Sequence, residues 1–455
     1  MEHYGEGFST RAIHAGQPEP EVGGPVVTPI YPTTTFYTDP SGQAEVWYTR
    51  YGNGPNHLLL EKRIASLEGA EDALVVSSGM AAMAMALISV LQAGDHVVAT
   101  DAIYGGTRAL LDRELSRMGI ETTYVDMFTA EWPRALRPNT RVVLGETPSN
   151  PLLRVLDLQP IAEIAHRHGA VVIVDATFGS PVHFRGLEHG ADIVMHSATK
   201  YLGGHSDVTA GVLAGSAARI GEARKRTRVW GPVLDPQAAW LLERGIKTIS
   251  VRMERHNRNG MEIARWAETR PEVARVFYPG LPSHPDHETA RRVLDGFGGM
   301  VGIELAGGGP AADRFVRAIR LAKLAPSLGG VETLISEPRF TSHAAMTPEE
   351  RAANGIRDGF LRVSLGIEDA ADLIADFDQA LRAIGSEQRE AASSDHVRDA
   401  VDYSAVCDTV REITLARTVI SAQPQGNTIA QLSTDWWGYD NSKSELRVLE
   451  RRRVD

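Results

Sequence analysis

The feature that most restricts what this chain can fold into is a rhythm of short apolar runs. DALVVS (72–77), HVVATD (96–101), ETTYVD (121–126), RVVLGE (141–146), AVVIVD (170–175) and DIVMHS (192–197) are each apolar through the middle, and most end on a polar residue. Runs of this length and composition read as strands. The segments between them, such as Ile161 to His168, are long enough for crossover helices. A strand buried on both faces loses its inside–outside alternation, as AVVIVD does, so the pattern predicts an α/β fold with a mostly parallel sheet covered by helices. In such sheets ligands sit beyond the carboxyl ends of the strands.

The rest of the 455 residues divides around this block. Residues 1–58, rich in Pro, Gly and Thr (GGPVVTPIYPTTTF, YTRYGNGPN), are suited to an extended arm that packs on a neighbouring subunit. Residues 59–250 form the large domain, opening on a helical pattern from Leu59 that closes at Gly69. The longest apolar run, Met80 to Leu91, is interrupted by Ser89 and falls short of the roughly 20 residues that cross a bilayer, so it reads as a buried helix. A long helical pattern after Leu241 leads through YPGLPSHPDHE into a smaller α+β domain, residues 251–386. That domain holds GMVGIELAG, a helix over 311–321, SLGGVETLISEP, FLRVSLGIE and a closing helix to about Ile384. Residues 387–455 read as a linker and poorly ordered tail, with one amphipathic helix over 403–416.

Charge excludes some functions. At −11 the chain is a poor match for a phosphate backbone, which is bound by clustered Lys and Arg. A single cysteine, Cys407, rules out an internal disulfide, and no basic segment followed by an apolar one opens the sequence. Both observations point to the cytoplasm, and neither a nucleic acid nor a membrane is expected as partner.

The chemistry concentrates in SATKYLGGHSD (197–207), directly after the run DIVMHS. Lys200, at the carboxyl end of a strand and flanked by Ser197 and Thr199, has what a Schiff base to a phosphate-bearing aldehyde needs: an amine for the carbonyl carbon and hydroxyls for the phosphate. A solvated surface lysine is the competing reading. Asp175, which ends AVVIVD, would reach the same crevice and face a pyridine nitrogen, though it also suits a helix N-cap. Gly79 and Met80 open the helix after DALVVS, where backbone N–H groups make an anion site, or simply a turn. Tyr104, after HVVATD, could stack on a flat ring or fill the core. Arg362, among apolar neighbours in FLRVSLGIE, needs an anion: a substrate carboxylate, or an acidic side chain of the protein.

Taken together, TRAIHAG, PIYPTTTF, YTRYGN, SSGMAA, YGGT, ETPSNP, VDATF, SATKYLGGHSD, SLGGVETL and RVSLGIED resemble the Cys/Met-metabolism family of pyridoxal-phosphate enzymes over about residues 9–384. The resemblance implies a fold-type I enzyme with pyridoxal 5′-phosphate on Lys200, Asp175 at the pyridine nitrogen and Tyr104 stacked on the ring and assisting proton transfer. It implies that Gly79, Met80, Ser197 and Thr199 hold the phosphate, joined by Tyr48 and Arg50 from a neighbouring subunit, and that Asn150, Ser327 and Arg362 bind the substrate carboxylate. It further implies a homotetramer built of two dimers with shared sites, no metal, and γ-elimination or γ-replacement on cystathionine or an O-acyl-homoserine. Methionine γ-lyase, O-acetylhomoserine sulfhydrylase and cystathionine β-lyase activities are the alternatives, and a non-catalytic cofactor-binding regulator is the remote one. Trp47, where an acidic residue is frequent, Ala176 and Gly54 depart from the family pattern.

Overall fold

The computed structural model of the protein describes residues 7–344 and 346–391. Its larger sheet contains β1 (Asp72–Val76), β2 (His96–Thr100), β3 (Glu121–Val125), β4 (Thr140–Glu146), β5 (Val171–Asp175), β6 (Ile193–Ser197) and β7 (Gly211–Gly215). The strand order is β1-β7-β6-β5-β4-β2-β3. Neighbours from β6 to β3 run parallel, whereas β7 is antiparallel to both β1 and β6. Because β1 and β6 are both antiparallel to β7, the first six strands all point the same way, and their carboxyl ends share one edge. The six runs picked from the sequence are β1 to β6. β7 was not among them: GVLAG is five residues long, with glycine at both ends, and strand propensity barely registers it.

Two apolar layers cover this sheet. On one face the helix Gly79–Val90 packs on Leu74, Val97, Leu144 and Ile173; on the other Leu158, Ile161 and Ala165 meet Val98, Val143 and Val172. Central strands covered on both sides have no solvent face to alternate toward, which is why β2, β5 and β7 are buried throughout.

A second sheet comprises β8 (Val273–Phe277), β9 (Met300–Leu305), β10 (Lys323–Leu324), β11 (Leu334–Ser336) and β12 (Phe360–Ser364), in the order β10-β11-β12-β9-β8. It is antiparallel except for β10 with β11. The helices Ile249–Glu268, Gly308–Ala318 and Ala370–Ala391 accompany it. The closing helix passes Ile384, where the sequence pattern fades, and continues to Ala391. The helical pattern after Leu241 is two helices, Pro236–Ile246 and Ile249–Glu268, broken at Lys247–Thr248.

The amino-terminal segment also differs from a single arm. The helix Phe8–His14 packs on its own chain, with Ala12 in the same apolar cluster as Leu60 and Ile64, and Arg63 Nε donates to the Ala15 carbonyl at 3.0 Å. The helix Pro55–Glu68 starts within the segment, with Pro55 in its first turn and Gly69 in the left-handed region at its end. Only the strap between these helices stays extended; Val22, Val26 and Tyr37 on it are almost fully exposed in the isolated chain. The helix expected over 403–416, the tail and Cys407 lie outside the described residues.

Candidate active site

The carboxyl edge of the larger sheet gathers the chemically active side chains, because each strand delivers its last residue or the following loop there. After β6 the chain turns tightly: Lys200 N–H donates to the Ser197 carbonyl at 3.1 Å, and Gly204 N–H to the Lys200 carbonyl at 2.8 Å. This turn presents Lys200 Nζ, which donates to Ser327 Oγ at 2.8 Å. Burial, reinforced by the nearby Arg362 cation, pulls the Lys200 amine down to about 8. An amine so placed is neutral in a useful fraction near physiological pH and can act as nucleophile or base.

Asp175 ends β5, two strands from β7, and is buried. Its Oδ1 accepts the Thr177 N–H at 3.0 Å and the Thr177 hydroxyl at 2.5 Å. Both bonds arrive on Oδ1, which leaves Oδ2 available to a further donor. No Lys or Arg pairs with Asp175 among the described residues, and burial raises its carboxyl above the usual range. Such a carboxylate stands ready for a cationic N–H, which a protonated pyridine nitrogen supplies.

The start of the helix Gly79–Val90 offers an anion-binding site. Ser78 caps it by accepting the Ala81 N–H at 3.1 Å, so the first-turn amides of Gly79 and Met80 stay directed out of the helix end. Gly79 passes so close to Ser197 that a Cβ there would stand 2.7 Å from the Ser197 Cβ. The Thr199 hydroxyl, by contrast, is engaged: it accepts from Ala210 N at 3.1 Å and donates to Ala210 O at 3.2 Å. It closes the lysine turn onto the lead-in to β7, and must rotate to donate to anything else.

Arg362, in the middle of β12, reaches across from the smaller sheet. It is 7% exposed; Nη1 donates to Asn150 Oδ1 at 3.0 Å and Nη2 to the Ser327 carbonyl at 3.0 Å. Both acceptors are neutral, and no acidic side chain pairs with it among the described residues, so the guanidinium has an uncompensated charge; burial lowers it to about 10. Ser327 holds a positive φ of 90°, a strained backbone for serine that brings both its hydroxyl and its carbonyl to the site. Tyr104 follows β2, 42% exposed, at the head of the short helix Gly105–Ala109.

The structure therefore brings Lys200, Asp175, Gly79, Met80, Ser197, Thr199, Tyr104, Asn150, Ser327 and Arg362 to one edge. It does not bring Tyr48 and Arg50 there. Arg50 donates to the Arg228 carbonyl at 2.7 Å, lies over the Tyr51 ring at 4.8 Å, and lines with Tyr48 a separate cavity of about 410 Å³.

Three supporting residues were not singled out from the sequence. Arg252, on the helix Ile249–Glu268, is 3% exposed; it donates to the carbonyls of Tyr201 at 2.7 Å and Gly245 at 2.8 Å, and occupies the space a Cβ at Gly204 would need. Gly329, at φ 76°, packs on the Lys200–Tyr201 peptide so closely that a Cβ would lie 2.8 Å from Tyr201 N. Glu146 ends β4 and is 4% exposed. The signal for Glu146 was present, since RVVLGE ends on a carboxylate just as AVVIVD does. Arg252 and Gly329 act through contacts distant in sequence, which no local pattern encodes.

A lysine of lowered basicity just past one strand end, a buried carboxyl without a Lys or Arg partner at the next and a helix start against Ser197 fit the fold-type I class of pyridoxal-phosphate enzymes. The crystal structure of cystathionine gamma-lyase from Lactobacillus plantarum, complexed with L-serine, matches with a TM-score of 0.80 and 37% identity, covering 83% of this chain and 99% of that one. Residues 9–382 match the family described as Cys/Met metabolism PLP-dependent enzyme, and the chain belongs to that family. L-methionine gamma-lyase of Fusobacterium nucleatum subsp. polymorphum is 43% identical over 397 residues, 84% of this chain and 100% of that protein. Cystathionine gamma-lyase of Bacillus subtilis (strain 168) is 44% identical over 378 residues, 82% of this chain and 99% of that protein. The cofactor is pyridoxal 5′-phosphate, and the substrate class is free, small-molecule amino acids. Among the described residues no helix is long and apolar enough to cross a membrane.

Proposed function

We propose that this enzyme carries out γ-elimination or γ-replacement on cystathionine or an O-acyl-homoserine, with Lys200 holding the cofactor and later moving protons. The observation that carries the reading is the pairing of Lys200 and Arg362 through Ser327: the amine donates to its hydroxyl and the guanidinium to its carbonyl. A substrate carboxylate drawn to the uncompensated Arg362 and to Asn150 would set the amino acid's Cα beside Lys200 Nζ.

Bound pyridoxal phosphate supplies an electron sink that stabilises negative charge at the substrate Cα. The chain's own residues do the rest. Asp175 would hold a proton on the ring nitrogen, Gly79, Met80 and Ser197 would hold the phosphate, and Thr199 would join them once its hydroxyl turns from Ala210. Tyr104 would stack on the ring, and Lys200, freed from the cofactor, would take the α-proton and then one from Cβ, so that the γ-substituent leaves with the electron pair of its bond to Cγ. A proton returned at Cγ would complete elimination, and an incoming nucleophile there would complete replacement. Tyr48 and Arg50 complete the site of a neighbouring subunit in a homotetramer, which accounts for their separation from Lys200 within one chain. The work is assigned to the cytoplasm.

γ-Chemistry is favoured over β-cleavage because SLGGVETL carries Glu332 where the cystathionine γ-enzymes it resembles place a glutamate; its carboxylate accepts a hydrogen bond from Ser206. A panel of cystathionine, homocysteine, methionine and O-acyl-homoserines, assayed for 2-oxobutanoate and thioether, tests this. γ-Products should exceed β-products, and pyruvate as the main product from cystathionine would refute the γ-assignment.

A further inference from the structure

We infer that Glu146 is a positioning residue that ties the ring-stacking Tyr104 and the carboxylate-binding Asn150 into one unit through their backbone amides. Its Oε2 accepts the Tyr104 N–H at 2.7 Å and its Oε1 the Asn150 N–H at 2.9 Å. Those amides belong to different loops, one after β2 and one after β4, and a single carboxylate fixes both. Glu146 also stands in register with Asp175 on the neighbouring parallel strand. The end of β4 thus ties down two of the site's loops beside Asp175.

Both oxygens of the Glu146 carboxyl face donors, and each accepts one backbone N–H. Holding it there is costly. Burial, with Asp175 alongside, pushes the Glu146 carboxyl well above the usual range, and no cation pairs with it among the described residues. A carboxyl buried at such a cost, with two backbone hydrogen bonds to loops rather than an ion pair, is explained by what those loops carry. The inference rests on the function proposed above for what Tyr104 and Asn150 then do.

Glu146→Gln is nearly isosteric but turns an NH2 toward one of the two amides, so one loop loses its acceptor. Full-length holoenzyme carrying Glu146→Gln, with Glu146→Asp as a second variant should the first fail to fold, is compared with wild type in two ways. Amide exchange resolved at Tyr104 and Asn150 should accelerate about tenfold or more at both positions, because loosening one loop shifts the carboxamide off the other. Turnover should lose about tenfold in kcat/KM, yet the same change introduced into a Tyr104→Phe/Asn150→Ala background should cost less than about threefold, the non-additivity expected of coupled groups. Exchange unchanged at either amide, or losses that multiply independently in the two backgrounds, would overturn the inference. Exchange at the two amides reads Glu146 even if wild-type protein proved to carry no cofactor, an outcome that would refute the function and leave the Glu146 result standing.

Discussion

Lys200 shows how much one residue's surroundings decide. Its amine falls from the ordinary 10.5 to about 8 because burial penalises the ammonium and Arg362 repels it. With Lys200 holding the cofactor as proposed, the neutral amine would attack the aldehyde, so the rate at which cofactor-free protein takes up pyridoxal phosphate should rise with pH and level off near 8. The same shift acts on stability. With a folded value below the unfolded one, the unfolded chain binds the extra proton between about 8 and 10.5, so this residue's contribution to the stability of the cofactor-free protein rises with pH across that window. Stopped-flow absorbance at a series of pH values checks the uptake; a rate still climbing steeply at pH 10 would mean an unperturbed lysine. The positions of Lys200, in the turn after β6, and of Asp175, the last residue of β5, were legible in the sequence because each follows or closes an apolar run with a residue type that the proposed chemistry requires. That Thr199 spends its hydroxyl on Ala210 was not legible, since the partner lies eleven positions away across a turn.

At the scale of elements, the lysine turn is held from below by a helix break. The helices Pro236–Ile246 and Ile249–Glu268 part at Lys247–Thr248, and Arg252, one turn into the second, sends its guanidinium back to the Gly245 carbonyl and on to Tyr201. Arg252→Met keeps the bulk of the side chain and leaves these buried carbonyls without donors. The loss should be about 3 kcal/mol of folding stability, measurable by denaturant unfolding of the cofactor-free protein, with a lower affinity for the cofactor. A variant with unchanged stability would show that water replaces the guanidinium there. The two helices read as one from sequence because apolar spacing continues through the break; the reason for breaking lies in a loop some forty residues upstream. Periodicity reports which face is buried, not what an element is bent around.

For the whole molecule, the exposed strap is the part a single chain does not explain. Val22, Val26 and Tyr37 stand open, and Tyr48 and Arg50 form their own cluster away from Lys200. Composition marked this segment as extended, while the helix Phe8–His14 escaped notice because its packing on the helix Pro55–Glu68 is tertiary. If Arg50 completes a neighbour's site, an isologous pair should allow rescue. Arg50→Ala and Lys200→Ala proteins, each inactive or nearly so alone, should regain part of the activity when mixed, because a hybrid dimer holds one site with both native residues. Absence of recovery after subunit exchange is verified by mass spectrometry would place Arg50 outside the neighbour's site.

Every role proposed for these residues depends on where the cofactor is held. Borohydride reduction of the purified protein, followed by digestion and mass spectrometry, should find the pyridoxyl group on Lys200, with the label and the visible absorbance both lost in Lys200→Ala. A pyridoxyl group on another lysine, or its persistence in Lys200→Ala, would contradict the account.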